Sequence, residues 1–174
     1  LHPKYEGDVI RFLKRDPAEL ARIAADVRRA LREPLPVIVA VLHDRAGGTE
    51  RHVNELAQHL HGKAVFFVMR PAPGQRLSLR LAGEAEAFGL MFQLPDELDA
   101  LVAVLRDLGV SHMHFQHLLG HDERVLDLPR RLGVSYDFTA HDFFTLCPQI
   151  TLTDKTNAYC GEQGVKQCTD CLAH

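Results

Sequence analysis

The sequence predicts an α/β fold with a Rossmann-like, mainly parallel sheet and helices on both faces. Short apolar, β-branched runs alternate along the chain with segments of helical periodicity, which is typical of parallel strands joined by crossover helices. The first run, VIVAVLH at 37–43, is continuously apolar, as expected for a strand buried on both faces. The 174 residues are enough for one domain with a sizeable core.

Residues 1–36 are predicted to form an N-terminal helical extension. Asp16 is placed as an N-cap, Pro17 lies in the first turn, and Glu19 follows where a capping box needs it. One helical face then carries the apolar residues Leu20, Ile23, Ala24, Val27 and Leu31. We therefore expect an amphipathic helix that docks on the domain or on a neighbour.

Residues 37–146 form the predicted Rossmann-like domain. Helices are expected at 47–60, 96–109 and 123–133, the last divided or kinked by Pro129. Strands are expected after the first one at 63–69, 77–82, 88–94, 110–118 and 134–141.

Polar residues follow three of these strands. In parallel sheets, ligands bind at the carboxyl ends of the strands. His43-Asp44, His117 and His141-Asp142 are expected at such ends. This edge of the sheet is therefore the predicted functional site.

A glycine pair lies between the first strand and its helix, in HDRAGGTERHV. Gly47 and Gly48 allow close approach of the backbone to a ligand, and the N–H groups of the helix start favour an anion. Neither the dinucleotide pattern G-x-G-x-x-G nor a Walker A lysine is present. The pair indicates either a phosphate site or a tight connection.

Three segments resemble bacterial GT-B glycosyltransferases of the GT4 type. AGGTERHVNELAQHL resembles their first turn and helix, HMHFQHLLGH resembles a later strand end, and YDFTAHDFFTLCP with YCG and CTDCL resembles one subgroup. The likeness covers residues 37–172. It implies a retaining enzyme of polysaccharide biosynthesis that transfers a sugar from a nucleotide-sugar donor to a glycan or other acceptor.

The same resemblance implies that this chain is the N-terminal, acceptor-side domain alone. The family's donor-binding carboxylates, in an E-x7-E motif, lie in a C-terminal domain, and nothing in this sequence matches that motif. The missing C-terminal domain is thus an expected partner. We expect this fragment, which begins at Leu1, to be inactive without it.

The resemblance also implies roles for individual residues. Gly47 and Gly48 fall where the family's glycine loop approaches the donor diphosphate. His141 falls on the histidine after the last strand, which would make it the catalytic residue, since it could move a proton at neutral pH. His117 and Asp142 would line the acceptor cleft, and Asp142 would orient His141 or cap the next segment. No catalytic metal is expected.

A run of histidines offers a different class of function. HMHFQH is similar to the H-x-H-x-D-H run of metallo-β-lactamase-type hydrolases, in which His112, His114 and His117 would bind zinc. Gln116 stands where that pattern has an aspartate. Because side chains alternate between the two faces of a strand, His117 is also expected on the opposite face from His112 and His114. The metal-dependent hydrolase is thus the weaker alternative.

The C-terminal segment, 147–174, carries all the cysteines of the chain. Cys147, Cys160, Cys168 and Cys171 follow the spacing C-x12-C-x7-C-x2-C, which suits a closed, structural zinc site in a segment with few apolar residues. Two disulfides, an iron–sulfur cluster and unmodified thiols are alternatives. A non-catalytic interaction module stapled by zinc is an alternative function.

Charge and hydropathy exclude some partners. The net charge of −3 gives no reason to expect binding to nucleic acid. No apolar run reaches the roughly 18 residues of a transmembrane segment. We expect a cytoplasmic protein, either in solution or at the inner face of the membrane.

Overall fold

A computed structural model describes residues 22, 25, 28–29, 34–45, 47–82, 89–147, 150–154, 156–161 and 164–172. The chain forms two compact units, Leu1–Thr139 and Ala140–His174, which are described here one at a time. The first unit contains a six-stranded sheet, and the second contains the cysteines.

The elements of the first unit alternate largely as predicted. In chain order they are β1 (Val37–Val41), α1 (Gly48–His59), β2 (Val65–Ala72), β3 (Arg76–Leu81), β4 (Gly89–Gln93), α2 (Leu98–Asp107), β5 (Val110–Phe115), a 3-10 helix (Glu123–Asp127), α3 (Leu128–Leu132) and β6 (Ser135–Phe138). The second unit contains α4 (Val165–Leu172) and an antiparallel bridge between Thr153 and Tyr159.

The sheet has the strand order β4-β3-β2-β1-β5-β6 and is mostly parallel. Strands β2, β1, β5 and β6 pair in parallel, whereas β3 pairs with β2 and β4 in antiparallel fashion. The link from β2 to β3 is a tight turn with positive φ at Gly74 and Gln75, far too short for the crossover that parallel pairing needs. The predicted α/β class with a mainly parallel sheet is confirmed.

Helices pack on both faces of the sheet. On one face, Val39 and Phe67 belong to the large apolar core together with Leu101 and Leu105 of α2. On the other face, Val53 of α1 packs with residues of the smaller core cluster: Ala40, Leu42 and Val68. Alternation along β1 thus sends neighbouring side chains to different helices.

The last helical segment of the first unit is divided, as predicted. The 3-10 helix ends at Asp127, and α3 begins at Leu128 with Pro129 in its first turn. Proline is tolerated there because the N–H it lacks has no partner in a first turn.

Strand β6 is shorter than the predicted 134–141. It ends at Phe138, and all four of its residues are exposed because it is an edge strand of the sheet. His141 therefore lies beyond the end of the strand in the sequence, and it belongs to the second unit.

Most of the predicted N-terminal helix lies outside the described residues, including its cap at Asp16 and its whole apolar stripe. Arg22, Ala25, Arg28 and Arg29 are described, and they are helical and exposed. Arg28 donates a hydrogen bond to the backbone carbonyl of Asp107, at 3.3 Å. Within the described part of the chain, no helix has the length and apolar character needed to cross a membrane.

Candidate functional site

The candidate site lies where the order of the strands reverses. From β1 the chain moves through β2 to β4 on one side, and then returns to place β5 on the other side of β1. The segment after β1 leads to α1 on one face, while the segment after β5 leads to α3, whose Leu128 joins the core of the opposite face. Such a divergence opens a crevice at the carboxyl ends of the two strands.

Three histidines occupy this edge. His43 follows β1, and His117 and His121 follow β5. The rings of His43 and His117 meet edge to face, with centroids 4.8 Å apart and an interplanar angle of 67°. His117 and the residue before it are anchored at the edge because the N–H groups of both donate to the carbonyl of Val41.

Backbone groups hold each of the three rings. The Nδ1 of His43 accepts from the N–H of Arg45 at 3.1 Å, and the Nδ1 of His117 accepts from the N–H of Leu119 at 3.0 Å. The Nε2–H of His121 donates to the carbonyl of Leu42 at 2.6 Å. The accepting Nδ1 places the ring proton of His43 and of His117 on Nε2, and the donating Nε2 of His121 carries a proton.

Burial disfavours the charged form of two rings in this cluster, those of His43 and His121. Burial and the neighbouring His117 lower the pKa of His43, despite the opposing effect of Asp44. Burial lowers the pKa of His121 to about 4, although the hydrogen bond to Leu42 acts in the opposite direction. At pH 7, His43 and His121 are therefore hydrogen-bonding groups and not cations.

One ring nitrogen in the cluster is unsatisfied. The Nδ1 of His121 is buried and has no hydrogen-bond partner among the described residues. Because the Nε2 of this neutral ring carries the proton, the Nδ1 presents a lone pair. A buried acceptor of this kind calls for an O–H or N–H donor, such as a ligand hydroxyl.

The glycine turn opens at the same edge of the sheet. Gly47, with φ 152° and ψ −156°, is the N-cap of α1, and no side chain caps the helix. A methyl group added at Gly47 or Gly48 would meet no atom within 4 Å. The side of each glycine that would carry a side chain thus faces open space. Glu50 in this first turn is paired with Arg70 at 2.7 Å, which offsets its negative charge.

The backbone conformation at residue 48 does not require glycine. It begins α1, and its φ lies outside the positive region that favours glycine. Alanine would stabilise such a helical position because glycine has the larger conformational entropy in the unfolded chain. Close approach of a ligand is a physical reason for glycine here.

The predicted site residues divide between the two units. Gly47, Gly48 and His117 lie in the first unit, whereas His141 and Asp142 lie in the second. The carboxylate of Asp142 accepts from the N–H of Phe144 at 2.8 Å. The acceptor-cleft and capping roles of Asp142 stay predictions. The catalytic role of His141 stays a prediction.

All four cysteines lie within the second unit and are thiols in this structure. Cys168 and Cys171 both lie on α4, three residues apart, so that their side chains emerge from one face. Cys147 and Cys160 are half-buried in the preceding loops. The zinc site at Cys147, Cys160, Cys168 and Cys171 stays a prediction.

Within the described residues, the side chains that come together in a metal-ligand geometry are those of His112, His114 and Asp137. Alternation along β5 places His112 and His114 on one face, as predicted. The ring of His117 instead packs against His43, so the three histidines of the hydrolase pattern do not converge.

Hydrogen bonds lower the pKa of the carboxyl group of Asp137 in this trio. Burial would raise the pKa of Asp137, but hydrogen bonds from His114 and His112 outweigh that effect, so the pKa is lowered. Asp137 therefore remains a carboxylate well into acidic pH.

Sequence reasoning missed two residues. It assigned no role to His121 or to Asp137. The signal for His121 was its position just after a strand end. The signal for Asp137 was its place in the alternation of side chains along the last predicted strand. Comparison of this chain with protein-family models, with curated proteins and with solved structures found no match.

Proposed function

We propose that this chain is the acceptor-side domain of a GT-B glycosyltransferase, which transfers a sugar from a nucleotide-sugar donor to an acceptor hydroxyl. The observation that carries the proposal is the pairing, at one sheet edge, of an open glycine turn with a cluster of three histidines, in which the buried Nδ1 of His121 has no hydrogen-bond partner. The resemblance of three sequence segments to the family supports it.

The glycine turn suits the diphosphate of the donor. The N–H groups at the start of α1 favour negative charge, and they would stabilise charge that develops on the leaving phosphate. The bare Cα atoms of Gly47 and Gly48 let phosphate oxygens approach these N–H groups. The pairing of Glu50 with Arg70 limits repulsion of the phosphate.

The histidine cluster suits a hydroxyl of the acceptor. The unsatisfied Nδ1 of His121 would accept a hydrogen bond from such a hydroxyl. With a pKa near 4, this ring positions the hydroxyl but holds little proton at pH 7. We assign the proton-moving role to His141, on the strength of the resemblance, with Asp142 and His117 at the acceptor side.

The proposed enzyme acts in the cytoplasm and needs a second domain that binds the nucleotide sugar. This chain should therefore bind uridine or guanosine diphosphate sugars only weakly, because it supplies one edge of the donor site. Titration calorimetry checks this expectation. Micromolar affinity for the chain alone would contradict the two-domain assignment.

The proposal is tested most directly by Gly48→Ala. Addition of uridine diphosphate or guanosine diphosphate to the ¹⁵N-labelled chain should shift the amide signals of Gly47, Gly48 and Thr49. Since a methyl group at residue 48 projects into open space, the variant should fold normally. It should bind the diphosphate at least about 10-fold more weakly, because the methyl group blocks close approach.

Gly164→Ala is the matched control. Gly164 directly precedes α4, and its added methyl group would meet only the flexible end of Gln167, at 3.3 Å. Diphosphate binding should be unchanged in this variant. Amide shifts that leave residues 47–49 unaffected, or equal affinity in the Gly48 variant, would contradict a phosphate role for the turn.

His141→Ala tests the catalytic assignment in the complete enzyme. Loss of one acid–base group should lower turnover on the order of 100-fold or more, with little change in stability. A variant that stays folded and keeps near-normal turnover would show that His141 is structural.

A further inference from the structure

We propose that His112, His114 and Asp137 form a binding site for a divalent transition metal, with zinc as the ion to test. The ligand atoms of these side chains all lie within 4.8 Å of one another. The site is distinct from the cysteines, from the histidine cluster after the strands, and from the function proposed above.

The pairing of β5 with β6 builds this site. His112 lies opposite Ser135, and His114 lies opposite Asp137 in the parallel register. Residues two apart on a strand point to the same face, so His112, His114 and Asp137 share one surface of the sheet. No rearrangement of the backbone is needed to bring them together.

One carboxylate oxygen lies between two imidazole nitrogens. The Oδ1 of Asp137 is 2.5 Å from the Nδ1 of His114 and 3.1 Å from the Nε2 of His112. Both nitrogens donate a proton to this oxygen in the structure. A metal ion can take this place once the proton of each neutral ring moves to its other nitrogen, since the nitrogens that face Asp137 then offer lone pairs while the carboxylate supplies negative charge.

The other nitrogen of each ring also has a partner. The Nδ1 of His112 contacts the hydroxyl of Ser135 at 2.8 Å, and the Nε2 of His114 contacts the side-chain amide of Gln116. Gln116 is fully buried, which makes it a rigid support. In the metal-bound state these outer nitrogens would carry the ring protons and donate them to the hydroxyl oxygen of Ser135 and the side-chain amide oxygen of Gln116, and such contacts orient metal-binding imidazoles.

The ligand set selects the class of metal. Two imidazoles and a carboxylate suit zinc and its first-row neighbours, whereas magnesium and calcium prefer oxygen ligands alone. Three protein ligands leave at least one coordination position for water, as in catalytic and not structural zinc sites. The side chain of Asp137 is 57% exposed, so solvent or a substrate can reach that position.

Zinc titration of the full chain tests the proposal after the thiols have been blocked by alkylation. Calorimetry should show one zinc ion per chain, and the ring signals of His112 and His114 should shift in histidine NMR spectra. Asp137→Asn and His112→Gln should each weaken zinc binding by more than about 100-fold, because loss of a supporting partner alone typically costs 10–100-fold.

Two further variants make the test specific. Ser135→Ala should weaken zinc binding by roughly 10-fold, since it removes only the support of His112. His61→Gln alters an exposed histidine after α1 and should change nothing. Zinc binding that survives both ligand variants, or zinc-independent ring signals of His112 and His114 in the unaltered sequence, would overturn the site. The NMR titration uses the unaltered sequence, so its result stands even if a variant fails to fold.

Discussion

In the first unit Phe67, Leu101 and Leu105 are wholly inaccessible to solvent, whereas each residue of the second unit whose burial is described, up to Cys171, keeps some exposure. Large apolar side chains in the second unit are exposed: Phe143, Leu146, Ile150, Tyr159 and Val165. The sheet is thus held by burial of apolar surface, and the cysteine-rich unit is not.

The second unit relies on local contacts instead. The carboxylate of Asp154 accepts hydrogen bonds from the hydroxyl and N–H of Thr156 and from the N–H of Ala158, which lower its pKa. Exposed hydrogen bonds of this kind each add little net stability. The comparison teaches that the described residues of the second unit form no buried apolar core, and the four cysteines are suited to supply a crosslink in its place.

The largest effect on folding should come from loss of the predicted zinc crosslink in the second unit. Purified chain should contain one zinc ion bound by Cys147, Cys160, Cys168 and Cys171. Apparent binding energies of such sites reach about 10–16 kcal/mol, so Cys168→Ser should unfold the second unit while the sheet stays folded. Elemental analysis and amide hydrogen exchange measure the metal and the loss of protection.

Two intact disulfides in mass spectra, without metal, would contradict the zinc site and would move the protein to an oxidising compartment. Unchanged hydrogen exchange in Cys168→Ser would show that the second unit needs no crosslink at this residue. Either result would remove the contrast drawn between the two units.

The next largest effect concerns the core. Phe67→Ala should lower the free energy of unfolding of the sheet by about 3–5 kcal/mol, because it leaves a cavity where the side chain is 0% exposed. Leu146→Ala in the second unit should change the free energy of unfolding by less than about 0.5 kcal/mol, because the side chain of Leu146 is 77% exposed. Urea denaturation followed by circular dichroism measures both. Similar losses in the two variants would disprove the difference in burial.

The pH dependence of stability should also belong to the sheet unit. The pKa of His121 is about 4 in the fold and near 6.5 in the unfolded chain. The unfolded chain therefore binds more protons between these values, and stability falls as the pH falls from 6.5 towards 4. The loss from pH 7 to pH 5 should be at most about 2 kcal/mol.

His121→Gln should flatten this dependence, and urea midpoints at pH 7 and pH 5 measure it. The lowered pKa of His43 acts in the same direction and should leave a residual slope. The lowered pKa values of Asp127 and Asp137 act below about pH 4, outside this window. An exposed control, His61→Gln, should keep the full slope. An unaltered slope in the His121 variant would contradict the burial argument.

The smallest effect should be a gain in stability. Gly48→Ala should raise the free energy of unfolding by about 0.5–1 kcal/mol, because it replaces glycine in a helical position with open space around it. Gly47→Ala should instead be destabilising, since residue 47 has a φ of 152°. A loss of stability in the Gly48 variant would show that the turn itself requires this glycine.

Periodicity along the sequence was sufficient to predict the α/β class, because a strand or a helix needs only its own pattern of apolar residues. It placed β1 and α2 correctly, and it separated His112 and His114 from His117 by alternation. It also placed His43 and His117 at one edge of the sheet, since both follow strands that could be recognised locally. It did not reveal the antiparallel pairing of β3, because strand direction depends on which neighbour pairs.

Tertiary structure alone decided which side chains meet. His43 reaches His117 only because β1 and β5 are adjacent, although their sequences are far apart. Asp137 lies beside His114 only because β6 pairs with β5 in one register. A shift of one residue would turn Asp137 to the other face of the sheet. Contacts between strands depend on register and order, and neither property is encoded in the pattern of a single segment.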